Sequence, residues 1–367
     1  MESGGISQDD ARQVARLPYL LAAVGYADLV GNCDPLSPDP ARWRMIWNAA
    51  PERLQPLLAL FLLAEPVQAD LLPPGFETAL QGLAAFGVIG TDAGGRLTSN
   101  GLVVLPVLGH WLICQPPQAN PGLYFGEDSM ALLLRMTPGT GGDYLDLCCG
   151  PGLHAIHGAR FARRVTAVEI SSVAVQLARV NMLLNGVADR VEVVEGDLYA
   201  PLRGRRFDWI TANPPMLPYP ETLRPPSIGH GGRDGLAVVE RVLEGLPHAL
   251  REGGGAQVIG MAFGDGKGLI AADRIRALAG RLGLDLRVTT LGRFGLRAGD
   301  PLTGALVRTL CEVSGEPVDA IHGALTEMLR QQGATHLCPI SLWARLGCGQ
   351  YEPVDLSDLG GGRFWLV

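Results

Sequence analysis

Lysine is nearly missing from this chain: it occurs once, at Lys267, and arginine supplies the remaining 29 of the 30 basic residues. We read that bias as the mark of a GC-rich genome; it also counts against a ribosome or DNA target. Positive charge is scarce overall. The 37 acids outnumber the bases and leave a formal net charge of −7, the wrong sign for an extended phosphate-binding face. There is no CxxC pair and no HxxxH pattern, which argues against a structural metal site. The seven cysteines, odd in number and irregularly spaced, fit a reducing cytosol better than a disulfide framework. The most apolar run, Leu54 to Ala64, is about half the length of a membrane span. Met1 to Asp10 lacks a basic stretch followed by an apolar core, so no secretory signal is expected. These absences predict a soluble, cytoplasmic protein without membrane association.

What is present is ample apolar material. Of 367 residues, 47% are hydrophobic and 18% charged, enough for two domains with sizeable cores. Residues 1–115 read as mainly helical. Apolar residues recur at helical spacing over Ala11 to Val30 and Pro51 to Ala64. A helix over Phe76 to Phe86, a strand at Gly87-Val88-Ile89-Gly90, a glycine turn and a strand at Arg96-Leu97-Thr98 follow the pattern of a winged helix. That pattern leaves DNA binding and a dimerisation or substrate-capping role open. Residues 1–120 hold eleven acids against six arginines, which favours capping or a homodimer contact.

A proline-rich connector, Cys114 to Gly122, marks the boundary, and the second domain is expected over 123–367. Short apolar runs at Tyr144 to Cys148, Val165 to Ile170, Val191 to Glu195, Trp209 to Ala212 and Ala256 to Phe263 alternate with helical stretches. Those stretches are Leu153 to Ala162, Ser172 to Asn185 and Leu236 to Arg251, so a parallel α/β sheet covered on both faces is predicted. Thr335 to Leu346 and Arg363 to Val367 read as two further strands.

In such sheets ligands sit beyond the carboxyl ends of the strands, so the residues just after each strand carry the information. After the first comes Asp146-Leu147-Cys148-Cys149-Gly150-Pro151-Gly152, where glycines admit a ligand close to the backbone and a helix follows. The second ends at Glu169-Ile170, nineteen residues past Gly150, where an acid can accept from ribose hydroxyls. The third ends at Asp197-Leu198, the fourth at Asn213-Pro214-Pro215-Met216. Each has a plainer reading: Glu169 as a helix cap, Asp197 as a turn residue, Asn-Pro-Pro as a rigid turn. Their succession at four strand ends favours a ligand site.

This set resembles the class I S-adenosylmethionine-dependent methyltransferases, whose first motif reads D-x-G-x-G-x-G. The likeness spans Tyr124 to Gly264. It implies a seven-stranded Rossmann-like domain with S-adenosyl-L-methionine as cofactor. Asp146, Cys148, Gly150 and Gly152 would form the first motif, with Cys148 in place of its first glycine. Glu169 and Ile170 would hold the ribose, Asp197 and Leu198 the adenine edge. Asp128, in the segment Tyr124-Phe125-Gly126-Glu127-Asp128-Ser129, would bind the cofactor's ammonium, a substrate amine, or cap a helix.

Asn213-Pro214-Pro215-Met216 is similar to the N-P-P-[YFW] signature of methyltransferases that act on planar nitrogens, including release-factor glutamine and adenine-N6 enzymes. Two prolines fix φ and remove donors. The Asn213 side-chain oxygen and the Pro214 carbonyl can then each accept one N–H of an NH₂ group, mostly a matter of positioning. Asn213 belongs to both the catalytic and the cofactor set. Met216 stands where the family has an aromatic, and Tyr219 is the candidate to replace it. Gly229 to Leu236, followed by Gly253-Gly254-Gly255, resembles the glycine-rich segment downstream of that signature. His154 and His157 lie three apart on one helix face; a reach into the site is open to them, and the plainer reading is of helix-surface or packing residues.

The expected function is therefore methyl transfer to a nitrogen of a small molecule of biosynthetic metabolism, with nucleic acid an improbable partner. The alternatives are methylation of a protein glutamine or an RNA base, and a non-methylating use of the cofactor that transfers or cyclises its aminocarboxypropyl chain.

Overall fold

The computed structural model describes residues 7–117, 122–137, 139–223, 229–359 and 363–366. Residues 118–121 of the proline-rich connector and Val367 of the tail lie outside them. The front unit holds helices α1 (Gln8–Val14), α2 (Leu17–Ala23), α3 (Tyr26–Val30), α4 (Pro40–Ala49), α5 (Gln55–Phe61) and α6 (Glu77–Ala85). Two hairpins follow, β1 (Gly90–Thr91) with β2 (Leu97–Thr98) and β3 (Val103–Val107) with β4 (His110–Cys114). The first is the short hairpin expected after a helix; the second was not anticipated. Local chemistry explains the starts: Asp39 accepts from the Ala41 N–H at 2.9 Å and Pro40 opens α4 with its φ already set.

Beyond the connector, α7 (Glu127–Arg135) precedes a regular alternation. It runs β5 (Asp143–Leu147), α8 (Leu153–Gly158), β6 (Arg164–Glu169), α9 (Ser172–Leu184), β7 (Val191–Glu195) and β8 (Phe207–Ala212). It continues through α10 (Ala237–Ala249), β9 (Leu250–Gly264), α11 (Ala272–Leu282) and β10 (Leu284–Thr290). Then come β11 (Phe294–Gly295), α12 (Pro301–Ser314), α13 (Val318–Gln332), β12 (His336–Leu346) and β13 (Tyr351–Asp355).

The strands pair in the order β13-β10-β12-β9-β8-β5-β6-β7, and β11 adds to β12 to make nine. β9, β8, β5, β6 and β7 are mutually parallel, while β12 runs antiparallel between β9 and β10. The order reverses beside β5, which has β6 on one side and β8 on the other, so the ligand-binding crevice of a Rossmann-like sheet falls at its carboxyl end. β5 is buried along its whole length, as a central parallel strand covered on both faces must be.

Of the two strands expected in the tail, one is present and one is not. His336–Leu346 is the strand foreseen there, but Arg363 to Leu366 is not extended into the sheet; the last strand is Tyr351–Asp355. Trp365 instead packs its ring against Met216, Ala131 and Leu132, where apolar burial outweighs pairing at a sheet edge. The helices α12 and α13, inserted between β10 and β12, also had no counterpart in the sequence reading.

One apolar core runs from Tyr26, Trp43 and Leu60 of the front unit into Leu153, Val175 and Met182 of α8 and α9. Among the described residues no helix is long and apolar enough to cross a membrane.

Candidate functional site

The loop after β5 turns sharply, and its backbone is costly. Cys148 adopts φ 56° in the left-handed region that side chains disfavour, as do Gly150 at 51° and Gly152 at 91°. A β-carbon on Gly152 would stand 2.4 Å from the Met182 methyl, which would have to swing aside, and the φ of 91° itself disfavours a side chain there. Burial pushes the thiols of Cys148 and Cys149 well above their ordinary value, which keeps both uncharged.

Asp146 ends β5 with no exposure at all. One oxygen accepts from the Thr211 hydroxyl at 3.1 Å, and Oδ2 is buried without a partner. Burial drives its carboxyl up to about 8, against the Thr211 bond and the Ala155 N–H, which pull it down. His154, three-hundredths exposed, lies with Nδ1 3.9 Å from Asp146 while Nε2 meets the Ser129 carbonyl at 2.9 Å. That carbonyl can only accept, so Nε2 carries the proton, and burial lowers the imidazole to about 4. The packing role expected for His154 is thus specific: it ties α8 to α7.

Glu169 serves the loop and the next helix together. Its Oε2 accepts from the Gly150 N–H and its Oε1 from the Ser171 N–H, both at 3.0 Å. Each oxygen keeps a second acceptor direction, so helix capping and ligand holding are compatible. Ile170 beside it is 67% exposed, an open apolar face for a flat ring. Asp197 is engaged elsewhere, at 2.7 Å from Arg241 of α10, a partner that sequence spacing did not suggest. Leu198 is buried with φ 48° and holds the turn that presents it.

Opposite stands α7. Asp128 is buried, its carboxyl raised by desolvation and drawn back by bonds from Tyr124 and Asn213. Asn213 donates from Nδ2 to Asp128 Oδ2 at 3.0 Å and to Ser129 Oγ at 3.4 Å. A carboxylate only accepts, which sets the amide's orientation and turns Oδ1 the other way. Asn213 Oδ1 and Asp128 Oδ1 are buried without partners. Three such oxygens, with that of Asp146, suit a ligand rich in N–H donors and positive charge. This acceptor set therefore fits S-adenosylmethionine. A cavity of about 150 Å³ lined by Pro38, Gln115, Pro116, Pro117, Tyr124 and Gly126 lies between the front unit and the segment that leads into α7.

The Asn-Pro-Pro loop is gripped by the glycine-rich segment. The Leu217 N–H donates to Gly229, Gly231 donates back to Leu217, and Tyr219 donates to Gly232. A β-carbon on Gly231 would meet the Met216 backbone at 2.6 Å, and one on Gly235 the carbonyls of Met216 and Met261 at 2.7 Å. Pro214 is buried within the loop. Met216 and Tyr219, put forward from sequence beside the acceptor, are instead packed away. Met216 lies against Ile259, Leu291 and Trp365. Tyr219 is fully buried with Leu223, Leu310, Ile321 and Leu325 under α12 and α13.

A family model described as the methyltransferase small domain matches residues 125–272. The "Putative protein N5-glutamine methyltransferase" of Methanocaldococcus jannaschii is 35% identical over 138 residues, 36% of this chain and 68% of that protein. The ribosomal protein uL3 glutamine methyltransferase of Bradyrhizobium diazoefficiens is 39% identical over 143 residues, 36% of this chain and 44% of that protein. The ribosomal RNA small subunit methyltransferase C of Escherichia coli is 30% identical over 138 residues, 37% of this chain and 36% of that protein. The chain thus spans less than half the length of two of these three relatives.

These likenesses overturn one expectation. A small-molecule acceptor, with nucleic acid disfavoured, was inferred from net charge and the missing aromatic, yet the relatives are named for protein glutamine and ribosomal RNA. The physical reason is that net charge is a sum over the surface, whereas presenting one NH₂ to a loop needs only local contacts.

Proposed function

The chain belongs to the class I S-adenosylmethionine-dependent methyltransferases of the Asn-Pro-Pro type, and we propose that it methylates the side-chain amide nitrogen of a glutamine in a protein. The observation that carries this reading is Asn213: its NH₂ is spent on Asp128 and Ser129, so its buried Oδ1 faces the site as an acceptor without a donor. An amide NH₂ supplies that donor. Its second N–H goes to the Pro214 carbonyl, and the nitrogen's π face is then turned toward the cofactor side. An amide also dispenses with a stacking partner, in keeping with the burial of Met216 and Tyr219 away from the loop's open side.

S-adenosylmethionine, when bound, supplies an electrophilic methyl group. The chain's own part is to hold and orient. Asp146 and Asp128 offer carboxylates to positive charge and N–H donors, and Glu169 accepts from ribose hydroxyls. Ile170 and Leu198 form the adenine side, with Asp197 beside them in its pair with Arg241. Cys148, Gly150 and Gly152 bring backbone close to the ligand. No strong base is required beforehand, because nitrogen made positive by methylation loses its proton readily.

The insertion α12–α13 packs on the Leu217–Tyr219 end of the Asn-Pro-Pro loop, and we assign acceptor recognition to it and to the front unit. We assign the activity to the cytoplasm, a reading that the seven free cysteines support. The test is transfer of labelled methyl groups into extracts depleted of small molecules: label sensitive to protease and resistant to ribonuclease supports the reading, and the reverse pattern sinks it.

A further inference from the structure

Strand β4 of the front unit pairs with β3 along one edge only. Its other edge is met by a helix. The Trp111 N–H donates to Asn185 Oδ1 at 2.9 Å, and the Trp111 carbonyl accepts from Asn185 Nδ2 at 2.7 Å. Two residues on, the Ile113 N–H donates to Asn181 Oδ1 at 2.8 Å, and the Ile113 carbonyl accepts from Asn181 Nδ2 at 2.9 Å. The match has a geometric basis: four residues of helix rise about 6 Å, and two residues of strand advance about 6.7 Å. Two asparagines one turn apart, Asn181 of α9 and Asn185 at its C-cap, thus stand in for two rungs of a neighbouring strand and cover an otherwise open edge.

The two rungs differ in one respect. Asn185 spends its remaining N–H on its own helix, at the Asn181 carbonyl. Asn181, fully buried, spends its remaining N–H on the Pro151 carbonyl at 2.9 Å, between Gly150 and Gly152 of the loop after β5. A single amide is therefore saturated by the front unit on one side and by the glycine loop on the other. Pro151 has no N–H of its own, and the glycines on either side of it, both at left-handed φ, leave the backbone there free to take other paths, so this bond is a direct tether on the loop's position.

We propose that Asn181 is a positioning residue for cofactor binding, through which β4 of the front unit holds the Asp146 to Gly152 loop in its binding conformation. The front unit is then part of the cofactor site as well as a cover for it. The inference rests on assigning that loop to the cofactor, and the experiment separates the two.

Full-length Asn181→Ala, Asn185→Ala and Asp146→Ala proteins are compared by thermal unfolding and by calorimetric titration with S-adenosylhomocysteine. Both asparagine variants lose the β4 rung and should melt at lower, similar temperatures. Only Asn181→Ala should also weaken the ligand, by about tenfold, the scale of one buried hydrogen bond. Equal changes in affinity for the two asparagine variants would overturn the tether, provided Asp146→Ala abolishes binding. An unchanged affinity in Asp146→Ala would overturn the loop assignment itself, and the tether with it. Should Asn181→Ala not fold, Asn181→Asp and Asn185→Asp keep the side-chain volume and remove the donors; the same contrast is expected, and its absence counts equally against the proposal.

Discussion

Asn213 and Asp128 hold each other across the site, Nδ2 to Oδ2 at 3.0 Å, and the bond leaves one oxygen of each residue buried and unmatched. The pair joins the loop after β8 to the helix before β5, two segments 85 residues apart. It explains why a donor-rich ligand fits here and why the asparagine amide has one orientation.

Asn213→Ala should lower turnover by two orders of magnitude or more, the size expected for lost positioning. Affinity for S-adenosylmethionine, read by calorimetry, should stay within about threefold, because losing one hydrogen bond at the edge of the cofactor set is a small effect.

Asp146 sets a pH dependence whose sign follows from its burial. Its folded carboxyl lies near 8, above the unfolded value of about 4, so the neutral form is native and the cost of ionising it grows as pH rises between them. Asp146→Asn should therefore raise the melting temperature of the ligand-free protein at pH 8, by about 2 kcal/mol of stability. The same variant should abolish cofactor binding. In the unaltered chain the carboxylate that binds is the minor form below pH 8, so its affinity, read by calorimetry, should climb with pH up to that point.

Cys148→Gly should stabilise the chain by about 1 kcal/mol, since a left-handed φ of 56° costs a β-carbon about that much. Denaturant midpoints measure it. Cofactor affinity should be equal or higher, because the loop keeps its path.

Gly235→Ala should do the opposite. It has φ 85°, and its added carbon would stand 2.7 Å from the Met216 carbonyl, so the Asn-Pro-Pro loop must move. A loss of about 1–3 kcal/mol in unfolding experiments is expected, together with a fall in turnover larger than any change in cofactor affinity.

Much of the sheet was legible because each strand-end residue sits beside its own strand: Asp146, Glu169 and Asn213 declare themselves within a few positions of an apolar run. What was not legible depends on residues far away in the chain. Tyr219 reads as an available aromatic until α12 and α13, which begin about eighty residues later, close over it. The partnership of Asp197 with Arg241 spans 44 positions and follows no local rule. The β3–β4 hairpin carries no strong turn signal and owes its outer edge to Asn181 of α9 and Asn185 at its C-cap. Glu169 reads from sequence as cap or ligand holder, and its carboxylate accepts from the Gly150 and Ser171 N–H groups with acceptor capacity left over. The reading from charge failed for another reason: −7 is a total and says nothing of the few contacts that bring one NH₂ to Asn213.

The most direct test is to identify the methylated atom. The purified chain would be incubated with isotopically labelled S-adenosylmethionine and protein from its source organism, then the product digested and sequenced by mass spectrometry. The account predicts N5-methylglutamine with S-adenosylhomocysteine as coproduct, both lost in Asn213→Ala. Label on carbon or oxygen, on an RNA base, or accompanied by methylthioadenosine would contradict it.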